Sequence, residues 1–230
     1  VFNAGLIQDL EMADRAYHYI VHHFLDQDFG GVYWSVDYLG NPKDTKKQVY
    51  AIAFTIYALA EYFVASGNEL VKEHAILLYK DLVNYSHDRE KGGYYEAFDR
   101  EWKVIKDLRL SEKDANEAKT MNTHLHVLEA FTNLYSIWPD DKLKLLIADL
   151  IVDFKVHIVD AKSQHLILFF DESWKKKSDH VSYGHDIEAS WLLLEAAEVI
   201  AYPELVAEIR ELAVKMAEAT LAGLDEDGAL

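Results

Sequence analysis

Residues 46–66, KKQVYAIAFTIYALAEYFVAS, stay apolar for several helical turns and on nearly every face. A helix of that kind has to be enclosed by other parts of the chain. The next segment, residues 69–86, has a different pattern. Leu70, Ala75, Leu77, Leu78, Leu82 and Val83 mark an apolar side and charged residues lie opposite, which predicts an amphipathic helix with one face in water. Gly67 and Asn68 between the two supply a helix stop and a helix cap. The alternation recurs. Residues 116–137 are largely apolar and 140–157 amphipathic, with Pro139 and Asp140 at the joint. Residues 186–201 are followed by 203–222, which Pro203 opens. An amphipathic stretch over roughly 6–24 precedes them all. Enclosed helices alternating with half-wet ones predict an inner ring of helices backed by an outer ring, an all-α (α/α) toroid.

The segments between the helix pairs also repeat. FLDQDFGGVYWSVD (24–37) resembles YSHDREKGGYYEAFD (85–99), and Gly30-Gly31 and Gly92-Gly93 lie 62 residues apart. IVDAKSQHLILFFDE (158–172) has the same position and character without the glycines, and LAGLDEDGAL (221–230) reads as the start of a fourth copy. A period in the sixties suits two helices plus a hairpin. Gly-Asn-Pro at 40–42, after an aromatic strand-like run, predicts a hairpin that an ordinary helical bundle with short loops does not need. The expectation is one domain over 1–230, a partial barrel, since a closed toroid needs more helix pairs than these.

Composition narrows the chemistry. Asp and Glu number 40 against 23 Lys and Arg, for a net charge of −17, so nucleic acid and anionic membrane surfaces are not expected partners. There is no cysteine, which excludes disulfides and thiolate chemistry. The run 49–60 reads as too short for a membrane span, and no leader-like segment opens the chain, so a cytoplasmic location is expected. The first residue, Val1, hints that the chain does not start at a natural beginning.

Two inner helices carry titratable groups near their N-terminal ends. NTHLHVLEAF offers Asn122, His124, His126 and Glu129, and YGHDIEASW offers His185, Glu188 and Trp191. Both contain His-x-x-Glu-Ala, 59 residues apart, which reads as the same pair in register on successive repeats. Residues i and i+3 share a helix face, so His126 pairs with Glu129 and His185 with Glu188. The first inner helix offers Tyr50 and Phe54 in the same region. A metal site is not favoured. His124 and His126 diverge on a helix, and no His-Glu-x-x-His occurs. Two hydrolytic carboxylates facing each other across a bond are not favoured either, because Glu188 reads as a partner of His185. Neutral histidine suits moving a proton on and off a carbon next to a carbonyl, chemistry that needs no cofactor.

GGVYWSVDYLGNPKDTKKQVYAIAF, KTMNTHLHVLEAFTNLY and FFDESWKKKSDHVSYGHDIEASWLLLEAAE together resemble the N-acylglucosamine 2-epimerase superfamily, in particular its cellobiose 2-epimerase group, over the whole chain. The resemblance implies an (α/α)6 barrel, of which this chain supplies the first to middle helix pairs. It also implies inversion of C2 in the reducing-end glucose of a β-1,4-linked disaccharide through a cis-enediolate, without a cofactor. By motif, His185 corresponds to a catalytic histidine with Glu188 orienting it, and His126 to a histidine near the ring oxygen and O1. Asn122, Tyr50, Phe54 and Trp191 correspond to cavity positions, and Asp114 is a weaker cavity candidate. His124 is read as core. The oxyanion-binding arginine and the second catalytic histidine of the family are expected outside residues 1–230. A monomer or weak homodimer is expected. Three alternatives stay open: an aldose–ketose isomerase, a monosaccharide 2-epimerase on the same barrel, or a sugar-binding remnant without catalysis.

Overall fold

The computed structural model describes residues 7–224, so most of the expected fourth repeat at 221–230 lies outside the described residues. The chain forms two compact units, Val1–His87 with Glu96–Asn116, and Asp88–Tyr95 with Glu117–Leu230.

In the first unit α1 (Ile7–Tyr19) runs into a π-helical turn, Ile20–Phe24. A short antiparallel hairpin follows, β1 (Ser35–Val36) against β2 (Pro42–Asp44), where the Gly-Asn-Pro punctuation predicts one. Then come β3 (Lys47–Gln48), α2 (Val49–Ser66), α3 (Glu69–Tyr85) and β4 (Ala97–Phe98). β3 pairs with β4, so residues 46–48 are not helical as the apolar run suggested. The α2–α3 joint works as predicted. Gly67 takes φ +66° and closes α2 by donating its N–H to Phe63 O, and the Asn68 side chain accepts from Leu70 N to open α3.

α3 buries Val71, Ala75, Leu78, Tyr79, Leu82 and Val83. Leu70 and Leu77, assigned to the apolar side from sequence, are exposed. The buried set follows i, i+4, i+7, i+8, and Leu70 and Leu77 fall one residue, about 100°, off that stripe. α2 packs on α3 and α1 with Val49, Ile52, Ala53, Ile56, Leu59 and Ala60 buried, while Tyr50, Phe54 and Tyr57 are half-buried. At eighteen residues, α2 is long and apolar enough to cross a membrane by length and composition, which the shorter run read from sequence was not. A core helix packed on two neighbours has the same composition.

In the second unit β5 (Lys119–Thr120) leads into α4 (Met121–Ile137), then α5 (Asp141–Asp153) with a π-helical turn at Phe154–Ile158, β6 (Phe169–Phe170), α6 (Tyr183–Ile200) and α7 (Pro203–Thr220). β5 pairs with β6 as β3 pairs with β4. Side chains of Thr120 and Asp140 cap α4 and α5, and Pro203 occupies the first turn of α7. α4 lies against α5 and α6 and is buried nearly all round, from Met121 and Leu125 to Phe131 and Leu134.

The hairpin repeat is confirmed in backbone detail. Asp26, Asp88 and Asp160 each close the same turn. Their N–H groups donate to Gly31 O, Gly93 O and His165 O, and their carbonyls accept from the N–H of Gly30, Gly92 and Gln164. Each carboxylate also accepts from the N–H groups two and three residues on. In the third copy Gln164 itself adopts the left-handed φ of +62° that glycine takes in the other two, so the turn survives without its glycines. Eleven residues further on, Asp37, Asp99 and Asp171 close a second turn of common design.

Candidate active site

The first turns of α4 and α6 bring the predicted histidines into the second unit. On α4, Nδ1 of His126 lies 2.9 Å from Glu129 Oε2, the i, i+3 pair expected from sequence, and both side chains are largely buried. A carboxylate accepts only, so Nδ1 carries the proton and Nε2 is left as the acceptor or the second site of protonation. Asn122 is half-buried on the first turn of the same helix.

His124, set aside from sequence as core, is fully buried. Its Nδ1 lies 2.7 Å from Thr120 O, and Tyr94 N–H donates to its Nε2 at 2.9 Å. Both ring nitrogens are therefore engaged by backbone, and one neutral tautomer is fixed. Burial pushes its pKa down to about 4.

On α6 the partner of His185 differs from the predicted one. Its Nδ1 lies 2.7 Å from the Ser182 hydroxyl, and not against Glu188. Glu188 is half-buried on the same face one turn later. Trp191, predicted as a cavity wall, is 54% exposed. Asp186, between His185 and Glu188, is fully buried. It accepts from Leu166 N–H at 2.8 Å and lies 2.7 Å from His165 Nδ1, so it ties the third turn to α6.

These anchors correct the register of the two His-x-x-Glu stretches. The residue after the repeated turn, Tyr94 in one copy and Leu166 in the next, donates to the fourth residue of its inner helix, His124 or Asp186. His124 and Asp186 therefore correspond, 62 residues apart instead of 59. His126 then matches Glu188, and the two pairs sit nearly one helical turn apart along their helices. The string identity of His-x-x-Glu-Ala concealed this shift. Ser182 was missed in the sequence; its signal is a serine three residues before a histidine at a helix start.

In the first unit the rings of Tyr50 and Phe54 meet at 4.8 Å, tilted by 55°, on the first turns of α2. Asp114 is held by its own loop, where Oδ2 accepts from both the N–H and the hydroxyl of Ser111 at 2.8 Å. Among the described residues no group of three or more His, Asp or Glu side chains is placed to hold a metal ion.

A family model described as N-acylglucosamine 2-epimerase matches residues 2–229. A cellobiose 2-epimerase of Bacteroides fragilis is 53% identical over 220 residues, covering 96% of this chain and 56% of the relative. A solved cellobiose 2-epimerase of Bacillus thermoamylovorans superposes with a TM-score of 0.87 at 40% identity, over 91% of this chain and 54% of that one. A solved sugar epimerase from a ruminal bacterium gives 0.93 at 36% identity, over 98% and 58%. The chain thus spans little more than half the length of these relatives, and its helix pairs have the (α/α)6 fold. It belongs to the N-acylglucosamine 2-epimerase family.

Proposed function

We propose that the full-length protein carrying this chain epimerises C2 of the reducing-end glucose in β-1,4-linked disaccharides, turning cellobiose into glucosyl-mannose and lactose into epilactose. The 53% identity to the Bacteroides fragilis enzyme, with both motif histidines present, carries the reading.

In the proposed reaction the sugar ring opens and exposes the C1 aldehyde. Neutral His185 takes the C2 proton on Nε2, the C2–H electron pair moves into the C1–C2 bond, and a cis-enediolate forms. His185 then passes the captured proton to solvent, a second acid on the other side of the sugar delivers a proton to the opposite face of C2 to give the epimer, and the glycosidic bond is untouched. His126, whose Nδ1 is held by the Glu129 carboxylate, serves the O1 and ring-oxygen end. Glu188 adds negative charge one turn along α6 without taking His185 Nδ1. Asn122, Tyr50, Phe54 and Trp191 are assigned to sugar binding, the aromatic rings by stacking.

Product analysis of the full-length protein with cellobiose tests this. Glucosyl-mannose as the main product supports the reading. A ketose as the main product assigns the site to an isomerase, and unchanged cellobiose, lactose and glucose would reject it.

A further inference from the structure

We propose that Ser182 is the positioning residue of His185, an inference that rests on the proton-transfer role given to His185 above. Ser182 stands at the N-cap of α6, where a serine side chain normally accepts a backbone N–H of the first turn. Here it makes no such bond. Its carbonyl accepts from Asp186 N–H at 2.9 Å, while its hydroxyl turns to Nδ1 of His185 at 2.7 Å. The capping role is given up and the ring contact takes its place.

The chemical consequence follows from the donor and acceptor inventory. A histidine that takes a proton from carbon must offer a bare Nε2, so its neutral form must keep the proton on Nδ1. The Ser182 oxygen accepts that Nδ1–H and holds the ring plane. On α4 the same task falls to a carboxylate, Glu129, which accepts the Nδ1–H of His126. Ser182 orients the His185 ring through a neutral hydroxyl. The two histidines thus share a tautomer and differ in the group that holds it, a hydroxyl on α6 and a carboxylate on α4.

The test uses the full-length protein, ring-15N-labelled at histidine, as wild type, Ser182→Ala and Ser182→Thr. The wild-type spectrum should show neutral His185 protonated at Nδ1. Ser182→Ala should move the ring toward the Nε2–H tautomer and lower kcat about tenfold, the worth of one lost hydrogen bond, with KM within about twofold. Its melting temperature should not change, because no cap is lost. Ser182→Thr, which keeps the hydroxyl, should restore both tautomer and kcat. An unchanged His185 tautomer in Ser182→Ala overturns the proposal, as does a loss of activity that Ser182→Thr fails to restore. If the wild type shows no epimerisation at all, the proposed function falls, and the tautomer readout still decides whether Ser182 sets the ring.

Discussion

Trp174 lies where a side chain on Gly93 would have to stand: a β-carbon built there overlaps the indole ring. The indole N–H of Trp174 donates to Lys91 O at 2.8 Å, and its ring stacks on His157 at 4.7 Å. One repeat earlier Trp102 donates to Phe29 O, and its ring is 2.9 Å from a β-carbon built on Gly31. Each left-handed turn is thus covered by a tryptophan from the following hairpin. In the third copy His165 replaces this glycine and binds Asp186 instead.

Gly93→Ala should therefore destabilise the protein by several kcal/mol, since a strained φ and a steric clash coincide. Gly67→Ala, at φ +66° with open space around it, should cost only about 1 kcal/mol. Urea unfolding of the two variants checks the order, and equal midpoints would contradict it.

Two buried lysines occupy equivalent places and should respond differently to removal. Lys119 Nζ is 2.8 Å from Asp88 Oδ2, and Lys47 Nζ is 2.8 Å from Asp26 Oδ2. Asp26 has a second cation, Arg100, at 2.8 Å and 2.9 Å, whereas Asp88 is paired with Lys119. Burial works against ionisation of Asp88, but Lys119 and the N–H groups of Lys91 and Glu90 outweigh it and bring its pKa to about 2. Lys119→Met strands a buried carboxylate and should cost on the order of 3–5 kcal/mol. Lys47→Met should cost clearly less in the same denaturation assay, because Arg100 still neutralises Asp26.

The helix pairs were legible because their signal is periodic and local: apolar runs, Gly67, Asn68, Asp140 and Pro203. The hairpin repeat was legible as well, since its turns depend on aspartates and glycines at fixed spacing. The edges were not. Lys47 and Lys119 read as helix, yet their residues form strands whose partners, Phe98 and Phe170, lie some fifty residues away. In the candidate site one of the two expected His–Glu pairs was legible. His126–Glu129 formed as expected because i, i+3 geometry dictates it, whereas His185 had both Glu188 and Ser182 three residues away. Spacing alone does not choose between them, and the ring turns to Ser182.

Asp153 gives a pH signature. Burial raises its carboxyl to about 7, with the Lys119 ammonium and a Gly93 N–H only partly offsetting this. A folded-state pKa above the unfolded value means stability is complete below about 4 and declines as pH rises through 7. Asp153→Asn, neutral at every pH, should come close to wild type near pH 4 and exceed it near pH 8 by on the order of 3 kcal/mol. Melting temperatures across that range decide, and a gain confined to acid pH would refute the assignment.

The central claim is that His185 moves the C2 proton. Proton NMR of cellobiose in D2O with the full-length protein measures that directly. The account predicts deuterium at C2 in the glucosyl-mannose formed, with His185→Ala lowering its appearance by at least about a hundredfold, the scale of a lost general base. Epimer formed without deuterium at C2, or an undiminished rate in His185→Ala, would contradict it.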